Sequence, residues 1–158
     1  MSSVKVHFPV LPLQEAVSRP GGITRENALE AAQENVREIS GEADQTIETA
    51  ILALEAMRPA GGNFTVEQLR SVLAKGDEII NLAGTFGYVS LDRATRSLCD
   101  ITDGLIQAGK GDFAPVAVHV RAMRLFSPLA TAPGPEQSVL ILEELAKVTA
   151  HYGFSPLA

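Results

Sequence analysis

Residues 65–109 read TVEQLRSVLAKGDEIINLAGTFGYVSLDRATRSLCDITDGLIQAG, and this stretch decides the fold because it holds two helical patterns in succession. Thr65 followed by Gln68 has the spacing of a capping box, which predicts a helix from there to about Phe86. Apolar residues recur every three or four positions, so one face of this helix is expected to be buried. Its predicted core positions are Leu69, Val72, Ile79, Ala83 and Phe86.

The second pattern of the stretch predicts another amphipathic helix. Ser90 is expected to cap it, and the helix is expected to run from Leu91 to Ala108, where Gly109 stops it. Its predicted core positions are Leu91, Ala94, Leu98, Ile101 and Leu105.

Upstream of this stretch lie an arm and a further helical pattern. Residues 1–23 carry three prolines and a pair of glycines, which forbid a continuous helix and predict an extended arm. Thr24 is the first candidate N-cap, and the pattern from there to Arg58 is either one helix kinked near Gly41 or two helices. The expected organisation is an arm followed by one helical domain, 24–158.

Downstream of the stretch, two more helices are expected. The polar loop 109–112 leads to a helix that has Pro115 in its first turn and ends at about Ser127. The last helix is expected from Glu136 to Tyr152, and no strand pattern is present outside the arm. Helices of this length with short connections predict an all-α fold, an antiparallel four-helix bundle with an additional N-terminal arm or helix and a C-terminal helix.

The composition argues against several classes of protein. The chain has 158 residues, of which 46% are hydrophobic and 20% charged, so one folded domain is expected rather than a disordered chain. A net charge of −6 argues against a nucleic-acid partner, which needs concentrated basic residues. No apolar run approaches the roughly 20 residues of a membrane span. A soluble protein without membrane contact is expected and, because no signal-peptide pattern is seen, a cytoplasmic one.

The number and spacing of the cysteine and histidine residues also give no support to metal or cofactor chemistry. Cys99 is the sole cysteine, which excludes an internal disulfide and a cysteine-based zinc site and favours a small buried apolar role. His7, His119 and His151 lack the spacing of metal ligands. His119 lies between two valines and is expected to be a hydrogen-bonded structural side chain. No metal site and no cofactor is therefore expected.

The centre of the stretch, Ala83–Tyr88 with the sequence AGTFGY, resembles the signature of histidine phosphotransfer (HPt) domains, above all the modules of chemotaxis kinases. In that family a surface histidine on a four-helix bundle carries a phosphoryl group that passes to aspartates of receiver domains. The likeness covers about 65–130, since 97–105 and the loop after it also look like the family's next helix and its end. It implies a bundle of HPt type and a role in a bacterial-type two-component phosphorelay.

The register of this resemblance implies that the family's chemistry is lost. Counted back from Gly87, the phosphoaccepting histidine falls on Asp77, the lysine three residues later falls on Ile80, and the glycine after it falls on Asn81. The family needs an imidazole nucleophile and a nearby cation, and these three residues supply neither. An aspartyl phosphate would need Mg²⁺ held by several carboxylates, and no such cluster surrounds Asp77 within its helix. A pseudo-phosphotransfer protein without a catalytic residue is therefore expected, not an enzyme.

The face around Asp77 is the predicted docking surface. Helical geometry places Asp77 opposite the core stripe, with Leu73 and Ile80 as an apolar pair beside it, the kind of patch that docks partners. Gly84, two turns further on, leaves a shallow depression where a partner could approach the backbone. The expected partner is the receiver domain of a response regulator or a histidine kinase. The predicted docking residues are Arg70, Leu73, Asp77, Ile80, Asn81 and Gly84.

Simpler interpretations of the motif stay open at this point. Ala83–Tyr88 also fits an ordinary helix end, with Gly87 as the stop and Phe86 and Tyr88 in the core. Asp77 also fits a solvated surface acid, or a fixed charge that imitates a phosphorylated state with less charge and fewer oxygens.

Two other functions stay open as well. The chain could be a helical scaffold or homodimerisation module, unrelated to phosphotransfer, that buries Leu73 and Ile80 between two copies. It could also be an active phosphotransferase that uses His119, which requires an exposed imidazole.

Overall fold

The computed structural model describes residues 24–59 and 61–153, and the regular structure in these ranges is helical. The helices are α1 (Arg25–Ala56), α2 (Val66–Phe86), α3 (Val89–Gln107), α4 (Phe113–Leu125) and α5 (Pro135–His151). The described ranges contain no strand, only an isolated bridge between Asn63 and Asp112. The all-α prediction is confirmed for this part of the chain, and the predicted arm, 1–23, lies outside it. None of the described helices has both the length and the apolar character needed to cross a bilayer.

The chain divides into two compact units, one reaching Glu38 and one beginning at Ile39. Helix α1 contributes to both, because it is a single α-helix that continues through Gly41. The one-helix interpretation of this segment is therefore the correct one. Its predicted N-cap is confirmed, since Thr24 Oγ1 accepts a hydrogen bond from the Asn27 N–H at 3.3 Å.

Helix α3 is the central helix of the second unit, because α2, α4 and α5 all pack against it. All five of its predicted core positions are fully buried. Thr95 and Thr102 are buried as well, and their hydroxyls donate to the carbonyls of Leu91 and Leu98 at 2.8 and 2.6 Å. Both hydroxyls are thus satisfied inside the core. The core residues contributed by other helices include Ile47, Ile51, Leu54, Leu69, Ile79, Val116, Val120, Met123 and Leu145.

Local signals in the sequence fix both ends of α2. At its start, Thr65 Oγ1 accepts from the Gln68 N–H at 3.2 Å, and the Gln68 side chain accepts from the Thr65 N–H at 2.9 Å, which is the predicted capping box. At its end, Gly87 adopts the left-handed conformation with φ of 79°, and the Tyr88 N–H donates to the Ala83 carbonyl at 2.9 Å. The buried positions of α2 are Leu69, Val72, Gly76, Ile79 and Ala83.

Two details of the α2–α3 connection differ from the prediction. Phe86, expected in the core, is only half-buried, because it is the last residue of α2 beside the turn. Helix α3 begins at Val89, so Ser90 does not cap it. The connection after Gly87 continues directly into the first turn of α3, where the Asp92 N–H donates to the Tyr88 carbonyl at 2.9 Å.

Helices α2 and α3 approach each other closely where Gly76 faces Cys99. A Cβ atom added at Gly76 would lie 2.6 Å from Cys99 Sγ, closer than real side chains come, so glycine alone fits without a shift. Cys99 is half-buried at this contact, not fully buried as the sequence predicts. Gly84 differs, since nothing lies within 4 Å of the Cβ position there.

A fully buried histidine links α4 to α3. The His119 side chain has 0% exposure. Its Nδ1 lies 2.7 Å from the Pro115 carbonyl, which only accepts, so Nδ1 carries the proton. Nε2 then accepts from the Ser97 hydroxyl at 3.0 Å. Burial lowers the pKa of His119, and the Pro115 hydrogen bond opposes that shift in part. The predicted structural role of His119 agrees with this geometry.

Gly76→Ala should destabilise the protein by about 1–3 kcal/mol, because the new methyl group overlaps the Cys99 sulfur. Adding Cys99→Ala removes that sulfur and should recover part of the loss. Gly84→Ala is the matched control, which should stabilise the protein by up to about 1 kcal/mol through helix propensity. Urea unfolding of the variants measures these free energies. Equal effects of the two glycine substitutions would contradict the close approach of α2 and α3.

The protein should lose stability as the pH falls through 6.5, the ordinary pKa of histidine, because the unfolded chain then binds a proton that folded His119 does not. The loss of stability stops growing once the pH is below the lowered pKa that His119 has in the folded state. His119→Gln should flatten this dependence by up to about 1.4 kcal/mol per pH unit. Urea unfolding from about pH 8 to about pH 5 measures the slopes; identical slopes in wild type and His119→Gln contradict this account.

Candidate functional site

The residues predicted to dock a partner lie together on one side of α2. This surface, called the Asp77 face, comprises the exposed Arg70, Asp77, Asn81 and Gly84 and the half-buried Leu73 and Ile80. The opposite side of α2 is the buried stripe that packs in the core. Because successive residues turn by roughly 100° around a helix, burying that stripe forces Asp77 outward.

The aliphatic pair on the Asp77 face is only partly exposed. Leu73 and Ile80 are each half-buried, since their positions fall at the edge of the buried stripe. Each still leaves part of its apolar surface accessible, one turn before and one turn after Asp77. The face therefore combines a central carboxylate with a partly exposed aliphatic side chain on either side.

Helix α3 adds a side chain to this surface that the sequence analysis does not assign to it. Cys99 lies close enough to Asp77 for that carboxylate to affect its thiol. The pKa of Cys99 is raised to about 12, first by burial and then by the nearby carboxylates of Asp77 and Asp100, while Arg96 acts in the opposite direction. The thiol therefore stays protonated at neutral pH and is a packing group, not a nucleophile. The sequence signal for this contact is Gly76, a glycine on the core side of a helix immediately before Asp77.

The cation nearest to Asp77 in the sequence is engaged elsewhere. Lys75 Nζ lies 2.7 Å from Glu78 Oε2, and both side chains line a shallow groove with residues of α1 such as Thr46. Arg70 is the cation on the Asp77 face itself, about 10 Å from Asp77 along the helix axis, since seven residues rise by 1.5 Å each. An exposed carboxylate and an exposed guanidinium at that separation suit a partner that carries both signs of charge.

The other candidate groups do not converge on this face. His119 has no exposed surface, so its imidazole does not meet the accessibility that transfer of a phosphoryl group to a partner requires. Across 24–59 and 61–153, no group of three or more His, Cys, Asp or Glu side chains is placed to hold a metal ion. The Asp77 face therefore brings together a carboxylate, a guanidinium, an amide and two partly covered aliphatic side chains.

Comparison with known proteins identifies no relative of this chain. No family model, no curated protein and no solved structure matches the chain.

Proposed function

We propose that this chain is an HPt-like signalling protein that has lost the phosphoaccepting histidine and acts by binding a receiver domain or a histidine kinase. The observation that carries the proposal is the exposed carboxylate of Asp77, at the position where the resemblance calls for the histidine. The HPt type of the bundle, the phosphorelay role, the cytoplasmic location and the non-enzymatic nature are parts of the same proposal.

The motif Ala83–Tyr88 supports the resemblance through its local structure. Ala83 is buried, Gly84 is open on the outer side of α2, and Gly87 ends the helix in the left-handed conformation. An ordinary helix end explains Gly87 equally well. A helix end does not explain why Gly84 is open on the same face as the exposed Asp77, two turns away. A docking surface needs such an opening beside an exposed charge.

The chemistry of the Asp77 face supports binding without phosphotransfer. A carboxylate carries less charge and fewer oxygens than a phosphoryl group, so Asp77 presents a permanent but weaker negative charge. The face has Ile80 where the family has its lysine, so the cation that balances charge during phosphoryl transfer is missing at that position. The half-buried Leu73 and Ile80 supply apolar contact on either side of the charge.

Binding is tested by titrating the full chain with a panel of receiver domains and histidine kinases encoded in the same genome, by calorimetry. At least one should bind, and Asp77→Lys should weaken that binding about tenfold or more, since reversing a central charge costs over 1.4 kcal/mol. Glu143→Lys, the same charge change at an exposed site on α5, is the control and should bind like wild type.

Two outcomes would contradict the proposal. One is that no member of the panel binds. The other is that Glu143→Lys weakens binding as much as Asp77→Lys, since overall charge and not the Asp77 face would then control the interaction.

A further inference from the structure

A cavity of about 260 Å³ lies between the end of α1, the segment before α2, and α4, and all of its lining belongs to the unit that begins at Ile39. Most of its wall is apolar, since the buried Leu54, Phe64, Val116 and Val120 line it. A cavity of roughly 150 Å³ already has room for a ligand the size of benzene. The cavity described here, called the α1–α4 cavity, therefore has room for one ring with a short substituent.

Two phenylalanines give this cavity an aromatic wall that the backbone holds in place. The ring centroids of Phe64 and Phe113 lie 5.6 Å apart, and the ring planes are tilted by 56°. The Phe64 N–H donates to the Gly111 carbonyl at 2.6 Å, and a Cβ atom at Gly111 would overlap the Phe64 carbonyl oxygen, so only glycine allows this approach. The aromatic wall is thus formed before any ligand enters, as is usual for small-molecule sites.

The charged residues that line the α1–α4 cavity are two arginines and one glutamate. Arg58 and Arg121 are exposed and Glu55 is half-buried. Within 24–59 and 61–153, neither arginine forms an ion pair or a hydrogen bond with its side chain. Their N–H donors are therefore available to a ligand. The excess of positive charge at this cavity is opposite in sign to the net charge of −6 on the whole chain.

We propose that the α1–α4 cavity binds a small aromatic carboxylate. Its ring would pack against Phe64 and Phe113, because aromatic rings favour tilted contacts with one another at such distances. Its carboxylate would pair with the guanidinium groups of Arg58 and Arg121, whose planar donors match the geometry of a carboxylate.

The same residues disfavour other kinds of ligand. Glu55 repels a doubly charged phosphate more strongly than a singly charged carboxylate. A cationic ligand would meet two guanidiniums against one carboxylate. The volume of about 260 Å³ lies below the usual range of roughly 300–1,000 Å³ for drug-sized ligands, which favours a ligand with a single ring.

The size of the ligand sets the expected strength of binding. A ligand of about ten non-hydrogen atoms at a site open to solvent should have a dissociation constant on the order of 0.1–1 mM. No residue that lines the α1–α4 cavity belongs to the Asp77 face. This inference is therefore independent of the function proposed for that face.

Titration of the full chain with phenylacetate, followed by the amide signals in ¹⁵N–¹H NMR spectra, tests the proposal. Phenylacetate should shift the signals of Phe64, Phe113 and their neighbours, with a dissociation constant below about 1 mM. The comparison ligand is 2-phenylethylamine, which has the same ring but a cation in place of the carboxylate. It should bind at least about tenfold more weakly, because its charge has the same sign as the two guanidiniums.

Three variants test the two parts of the site. Arg121→Gln should weaken phenylacetate binding about fivefold or more, because it removes a charged hydrogen-bond donor. Arg93→Gln is the matched control, since it makes the same change at an exposed position on α3 outside the cavity, and it should bind like wild type. Ala117→Leu places a larger side chain in the cavity wall and should abolish binding. Circular dichroism should show equal helix content in all of these proteins.

Four results would overturn the proposal. The first is a wild-type chain that phenylacetate leaves unchanged, which would also be the outcome if residues 1–23 or 154–158 filled the cavity. The second is equal binding of phenylacetate and 2-phenylethylamine. The third is an equal loss of affinity in Arg121→Gln and Arg93→Gln, since overall charge would then control binding. The fourth is an Ala117→Leu variant that binds phenylacetate like wild type.

Discussion

The close approach of α2 and α3 at Gly76 and Cys99 is the constraint on which the rest of the second unit depends. With a hydrogen atom in place of a side chain at Gly76, the Cys99 sulfur can pack against the α2 backbone. Together with the burial of Leu69, Val72, Ile79 and Ala83, that contact sets the rotation of α2 about its own axis. The buried stripe then faces α3 and the core, and Asp77, the next residue after Gly76, faces solvent beside the seam. The position of the Asp77 face on the outer side of α2 follows from this packing.

Much of this arrangement could be predicted from the sequence, because local signals determine it. The capping box at Thr65 and the left-handed Gly87 act within a few residues of each helix end, so the bounds of α2 followed directly. The five core positions of α3 followed from periodicity alone. The start of α3 could not be predicted in this way, because the connection after Gly87 continues directly into the helix and leaves Ser90 no capping role.

The features that the sequence did not predict depend on contacts between helices. Periodicity assigns Leu73 and Ile80 to the edge of a stripe but does not say how much of each the neighbouring helix covers. Periodicity also gives no indication that Cys99 lies beside Asp77, since that depends on the axial register between α2 and α3.

The central claim is that an exposed carboxylate stands where a phosphorelay protein would carry its imidazole. Its most direct measurement is transfer of label to the full chain from receiver domains and kinases charged with radiolabelled ATP, for wild type and for the triple variant Asp77→His, Ile80→Lys, Asn81→Gly. The account predicts no stable label on wild type and phosphohistidine on the triple variant, because the variant restores the nucleophile and the cation on a face that already points outward. Stable label on the wild-type chain, or an inert triple variant that still folds, would contradict it.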